Sequence, residues 1–366
     1  MPRAVRVCLL SLLLSAACAP APIATRQPAI EPPVSTATVP PPTLGPTVTA
    51  TAAPSPTPAV FPTAGPGEPI PCNAHDLVYA PPLKLVLLAN CALESADFVP
   101  GPMKLWGWDG ATWRLVDDTG PSVRGLGGVA YDTQRNTLVM AGGRSRTEDF
   151  TDMWQWDGAA WTALGAPPGT ISNHFSMIYD PGRDRIVMFG GQDLNELVKS
   201  DTWEWSPEAN AWERLARTGP AQRVHYALTY DEANARVLLF GNNASELWAW
   251  TGGPKWERVT PPGTEPGPGE RAGSRMAYDA ATGQVVLMGG YVYGANGHPL
   301  GDTWLWDGEQ WTEYTGPGPS DRSHHAMAYD PERQVIVLYG GYGGGELILD
   351  DTWEWDGAAW HCVARC

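Results

Sequence analysis

The chain has 366 residues, 17% of them charged and 43% hydrophobic, enough apolar material to bury a core. Forty Asp and Glu against 24 Lys and Arg give a net charge of −16, which repels phosphate backbones and anionic lipid heads and argues against a nucleic-acid partner. The counts of 18 Trp, 41 Gly and 36 Pro suit short strands joined by tight turns and exclude a fold of long helices.

At the amino terminus, Arg3 and Arg6 precede an apolar run over residues 7–14, then Ser15, Ala16, Ala17 and Cys18, so residues 1–18 have the layout of an export signal. The run is too short to span a bilayer. Ser-Ala-Ala-Cys resembles a bacterial lipoprotein box and makes Cys18 the expected lipidation residue, although Ser15 stands where that motif usually carries Leu. The alternative, cleavage after Ala19, leaves Pro20 behind the cut. Residues 19–71 hold 16 Pro and 9 Thr with almost no charge or periodicity, the composition of a disordered linker. In a polyproline-like state it could reach roughly 160 Å, as a stalk or simply as a leader.

From residue 72 onward the chain repeats six times, about 50 residues at a time. Each unit carries a Tyr (79, 131, 179, 230, 278, 329), a doublet that is usually Gly-Gly, a Trp-x-Trp pair beginning at 106, 154, 203, 248, 304 or 353, and a third Trp at 113, 161, 212, 256, 311 or 360. The repeats consume every tryptophan, so the indoles read as scaffold. In the last unit, residues 323–330 predict a first strand, Asp330-Pro331 a turn, and residues 335–339 a second strand covered on both faces. Residues 352–355 then predict a third strand, Asp356-Gly357 a hairpin turn, and Trp360 begins the fourth. A four-stranded sheet of this kind must stack on its neighbours, and closing the ring removes the exposed ends. Each buried Trp contributes about 4–6 kcal/mol at most.

This pattern resembles the kelch repeat, whose hallmark is a glycine doublet ending the second strand and spaced aromatics in the third and fourth. The doublets are Gly142-Gly143, Gly190-Gly191, Gly289-Gly290 and Gly340-Gly341, with departures at Asn90-Cys91 and Gly241-Asn242. The resemblance covers residues 72–366 and is to bacterial exported kelch-repeat proteins and the central domain of galactose oxidase. It implies an all-β, six-bladed propeller of four antiparallel strands per blade, closed without strand exchange.

Two polar columns accompany the repeat. Seven residues before the Tyr stand Cys72, Arg124, Ser172, Arg223, Arg271 and Arg322; two before the first Trp stand Lys104, Asp152, Asp201, Glu246, Asp302 and Asp351. Every Arg has an acid in its own repeat, which predicts a structural ion pair inside each blade. His174, His225 and His324 form a further column near the start of the first strand, with Ala74, Gly127 and Gly273 as counterparts. Around a six-fold axis the channel is expected to hold such histidines apart, so they read as strand-end hydrogen-bonding groups and no metal or other cofactor is assigned.

Cys72, Cys91, Cys362 and Cys366 form an even set in a chain with an export signal. A hairpin centred just past Tyr79 places Cys72 opposite Cys91, leaving Cys362 for Cys366; the rival pairs Cys72 with Cys362 or Cys366 and clasps the first blade to the last.

The aromatics outside the scaffold, Phe98, Phe150, Tyr291, Tyr293 and Tyr342, all fall between the second and third strands of a blade, interspersed with Glu94, Asp97, Glu148, Asp149, Asp193, Glu196 and Asp350. They are the expected ligand-binding residues of a monomeric, non-catalytic module, exported or lipid-anchored at the cell surface, that presents these loops to a protein or glycan. The kelch resemblance keeps an enzymatic alternative open, since copper-radical sugar oxidases and a sialic-acid mutarotase share it. No Tyr, His and Cys copper set aligns here, whereas Arg275, His324, His325 and the loop acids could serve acid–base chemistry at a channel mouth.

Overall fold

A computed structural model describes residues 67–91, 101–169, 171–216, 219–242, 244–294, 297–345 and 347–366. Cys18, Phe98 and the linker up to residue 66 lie outside them.

Six four-stranded antiparallel sheets follow one another along the chain, each built from four consecutive strands of the main repeat. Blade 1 is Asp76–Ala80, Leu85–Ala89, Leu105–Trp108 and Trp113–Asp117. Blade 6 is Ala326–Asp330, Val335–Tyr342, Ile348–Trp355 and Trp360–Ala364. The chain enters the inner strand of blade 6 at Ala326, three residues later than the sequence pattern suggests. His324 has φ +55° and turns the backbone out of the extended region before the ladder begins. Pairing between the second and third strands of blades 5 and 6 also runs further out than expected, to Val292 opposite His298 and Tyr342 opposite Ile348. The stretch after Tyr291 is therefore the tip of a hairpin.

The core is divided into six clusters, each joining two adjacent blades. One of them packs Leu77, Val86 and Trp108 of blade 1 on Ala326, Val337 and Tyr339 of blade 6, so the ring closes through side chains. The second Trp of each repeat is at most 2% exposed. The seams are stitched by indole N–H donors reaching the previous blade: Trp108 Nε1 donates to Glu354 (2.7 Å), Trp113 Nε1 to Thr352 (2.9 Å), Trp256 Nε1 to Thr202 (2.7 Å) and Trp360 Nε1 to Thr303 (3.0 Å). These four indoles thus supply both apolar area and a satisfied donor, whereas Trp156, Trp306 and Trp355 bury an Nε1 without a partner among the described residues and contribute area alone.

The ion-pair column lies within blades. Arg322 donates from Nη1 and Nη2 to the two Asp351 oxygens, both at 2.7 Å, and from Nη1 to Gly340 O at 3.0 Å; Arg271 with Asp302, and Arg124 with Asp152, repeat the arrangement. Trp154, Trp304 and Trp353 each donate to the same acid at 2.7 Å. The glycine doublet serves the seam between blades. Gly341 N donates to Cys72 O at 3.0 Å, and a Cβ on Gly340 would stand 2.8 Å from that oxygen. Its φ of +62° is left-handed as well, so both backbone shape and close approach call for glycine.

Disulfides join Cys72 to Cys91 and Cys362 to Cys366, with Cα separations of 5.5 and 5.9 Å. Residues 67–71, assigned to the linker by composition, lie along blade 6: Tyr339 Oη donates to Ile70 O at 3.0 Å, and Glu68 pairs with Arg365.

Candidate functional site

The six inner strands surround an axial channel whose two ends differ. At the end where the chain enters each inner strand, one residue per blade projects inward: Ala74, Leu126, His174, His225, Gly273 and His324. All six have φ between +52° and +67°. Their main chains bond from blade to blade: Ala74 N to His324 O (2.8 Å), His324 N to Gly273 O (2.7 Å), Gly273 N to His225 O (2.7 Å), His174 N to Leu126 O (2.7 Å) and Leu126 N to Ala74 O (3.0 Å). The left-handed turn aims each N–H along the circumference instead of along a strand, which draws the ring tight. In blade 2 the position belongs to Leu126 rather than Gly127, because the spacing to the Tyr is kept.

The histidines are brought together, against the expectation that the channel separates them. His174 and His225 stand edge to face with centroids 4.7 Å apart, as do His225 and His324, and His324 Nε2 lies 3.0 Å from His225 Nδ1. Gly273 makes this possible, since a Cβ there would stand 2.7 Å from the His324 ring. Burial holds all three in the neutral form: His174 is lowered to about 4, His324 to about 3 and His225 well below its ordinary value, with further lowering from charged or neighbouring groups, Arg275 among them for His225 and His324. Among the described residues no group of three or more His, Cys, Asp and Glu is arranged to hold a metal ion.

Beneath the ring is a well of about 360 Å³, lined by the inner strands of all six blades and extending to Pro81, Thr133, Pro181, Glu232, Ala280 and Pro331 at the turns of the opposite end. Its walls are mainly apolar. Asp76 and Arg275, three residues before their Tyr in blades 1 and 5, are the charged groups on its inner-strand wall. Burial pushes Asp76 up to about 6, opposed by Arg275 and by a 3.2 Å hydrogen bond from Asn90; burial lowers Arg275, opposed by Asp76. Of the acid–base candidates named from sequence, Arg275 lines this well, His324 belongs to the ring and His325 is wholly buried.

With this geometry in view, two comparisons place the fold. Residues 173–219 match the kelch motif. The chain is a six-bladed β-propeller with a kelch motif in its third blade. The solved structure titled "Structure of YjhT" superposes with a TM-score of 0.59 at 14% identity, covering 79% of this chain and 96% of that one, a likeness of fold alone.

Because the first two strands of each blade run antiparallel, the loops between second and third strands lie at the closed end of the channel, where the first strands begin. Tyr291 and Tyr293 form an edge-to-face pair (5.4 Å) on the blade 5 hairpin, and Tyr293 is 50% exposed. Tyr342 donates through Oη to Gly345 O (2.7 Å) in its own loop. Phe150 lies 3.8 Å under the Arg124 guanidinium and so helps cover the ion pair of blade 2. The loop acids are drawn into loop structure: Asp149 contacts Arg144 (3.2 Å) and accepts from Asn173 (2.7 Å), while Asp193 accepts from the amides of Asn195 and Leu197 and pairs with Lys199 (2.6 Å). Sequence reasoning, by looking only for aromatics, passed over Leu194, Leu197 and Leu347, which are 50%, 58% and 56% exposed on these loops. Their signal was present as isolated leucines between Gly and polar residues, outside any strand pattern.

Proposed function

We propose that this chain is an extracytoplasmic binding module that engages a protein through the loops between second and third strands. The observation that carries the reading is the position of the exposed apolar side chains. Of six large ones among the described residues, Leu194, Leu197, Tyr293 and Leu347 stand on these loops. Exposed large apolar side chains concentrated on one set of loops, rather than scattered over the surface, mark a candidate surface for a partner. Leucines beside a tyrosine favour a protein partner over a glycan, which would call for aromatic platforms and free polar groups. The surrounding negative charge favours a basic rim on that partner. The export-signal layout and two disulfides support an oxidising, extracytoplasmic setting, with anchoring through Cys18 as part of the same proposal.

The test is a variant with Leu194, Leu197, Tyr293 and Leu347 all replaced by Ser. Capture of protein partners in a cell-surface cross-linking experiment should fall at least 10-fold while the melting temperature stays within about 2 °C. Undiminished capture would remove this face from consideration, and capture of glycans alone on an array would replace the protein partner with a sugar.

A further inference from the structure

The ring narrows one end of the channel, and the contents of the well beneath it point to a second site. Arg275 lines it, only partly accessible, with no carboxylate within ion-pair distance among the described residues. Its one hydrogen bond is a long 3.5 Å contact from Nη1 to Ser274 O. This separates it from the arginines of the ion-pair column: Arg124, Arg271 and Arg322 each meet an acid with both Nη atoms, and Arg223 has Glu246 3.9 Å from Nη2. A guanidinium left with its fork open in a site largely withdrawn from water is costly unless something anionic meets it. Asp76, the other charged group on the inner-strand wall, is held by Asn90 from blade 1 and lies beyond 4 Å of Arg275.

The rest of the wall says what kind of anion fits. The partly exposed apolar residues on the inner-strand wall include Val78, Ile178 and Leu228, and Met177, Met276 and Met327 stand buried behind that wall in the seams between blades. Unbranched thioether side chains in that position can shift to admit a flexible chain. The volume, about 360 Å³, falls within the range of small-molecule pockets. Main-chain bonds between five of the six neighbouring ring positions and the clustered rings of His174, His225 and His324 narrow the far end, so a ligand entering from the turn end meets Arg275 at the inner end.

We propose that the well binds a monocarboxylate with an unbranched apolar tail, its carboxylate held by the Arg275 fork at the inner end and its tail along the methionine-backed wall. The site opens at the end of the channel opposite the loop face and does not depend on the function proposed above.

Titration calorimetry of the full chain with octanoate, octanol and acetate at pH 7, all below micellar concentrations, tests it. Octanoate should bind at least 10-fold more tightly than octanol, which lacks the anion, and than acetate, which lacks the tail. Arg275→Met should reduce octanoate affinity at least 10-fold and leave octanol unaffected. Asp76→Asn, which removes the competing negative charge, should tighten octanoate several-fold. If Arg275→Met does not fold, Arg275→Lys keeps the charge without the fork and should still weaken octanoate. Equal binding of octanol and octanoate, absence of octanoate binding, or full octanoate affinity in whichever Arg275 variant folds overturns the proposal.

Discussion

The two ends of the inner strands solve the same problem in different ways. Each end carries one left-handed residue per blade: Ala74, Leu126, His174, His225, Gly273 and His324 at the closed end, and Lys84, Asn136, Asp184, Ala235, Gly283 and Gln334 at the open end. At the open end these residues only reverse the chain within their own blade, as in the bonds from Leu83 N to Ala80 O and Ala235 N to Glu232 O. Neighbouring blades are tied there by side chains near the surface, such as Lys84 with Glu332 (3.1 Å) and Arg135 with Asp184 (2.7 Å). At the closed end the left-handed residues bond to one another across blades. Main-chain bonds in a half-buried ring are less open to exchange with water than side-chain pairs at the surface, which contribute about 0–1 kcal/mol each. The closed end is therefore the fastened one, and the open end is where a ligand can enter.

The largest expected effect on this contrast comes from acid. His75, His174, His225, His324 and His325 all lie at or near the closed end, and burial lowers every one of them; His75 and His324 fall to about 3 and His174 to about 4. The folded state then binds fewer protons than the unfolded chain, whose histidines titrate near 6.5, so stability is complete above that value and is lost as pH falls toward 4. All five act in the same direction, so their losses reinforce one another as the pH falls. Asp76, raised to about 6, runs the other way, gaining stability as pH falls through that value, but it is one group against five. Urea midpoints at pH 7 and pH 5 should differ widely, and the triple variant His174→Asn, His225→Asn, His324→Asn should shrink the difference while His75 and His325 keep the remainder, since Asn tolerates the left-handed region. Equal midpoints at the two pH values would show that the closed end is not held by neutral histidines.

The next effect separates buried from exposed pairing. Arg322 is 0% exposed and makes five hydrogen bonds at the closed end, to Asp351, Gly340 and Ser320. Replacing it with Met leaves Asp351 without its counter-charge and should cost about 3–5 kcal/mol in urea unfolding. Lys84→Met at the open end should cost at most about 1 kcal/mol. Similar losses for the two would erase the distinction drawn between the ends.

Much of this architecture was legible because the repeat supplies six readings of each position. The Trp columns gave the blades and the seams, and the Arg and acid columns gave the ion pairs, since each is a pairwise contact within a fixed register. The ring was not legible in that way. Its positions hold Ala, Leu, His and Gly, so nothing in side-chain chemistry marks them; what they share is a backbone angle and a main-chain bond to the neighbouring blade. The convergence of three histidines followed from that ring and from the space at Gly273. The candidate loops were marked by their aromatics, while their exposed leucines carry no pattern that distinguishes them from buried ones until their exposure is known.

The smallest effect asks whether the ring adds strain beyond that of an isolated turn. Ala74 has φ +54° at the closed end and Ala235 has φ +48° at the open end, so the same side chain sits in the same disfavoured region under two kinds of restraint. Glycine there removes the Cβ penalty of about 1 kcal/mol but frees the unfolded chain, leaving a gain of about 0.5 kcal/mol or a little more. If the penalty is local, Ala74→Gly and Ala235→Gly should raise the melting temperature equally, by about 1–2 °C. A distinctly larger rise at residue 74 would mean that the main-chain bonds to His324 and from Leu126 pull the residue further than its turn requires. A fall at residue 74 would mean that the methyl group of Ala74 packs the ring, and closure would then rest on side chains at both ends of the channel.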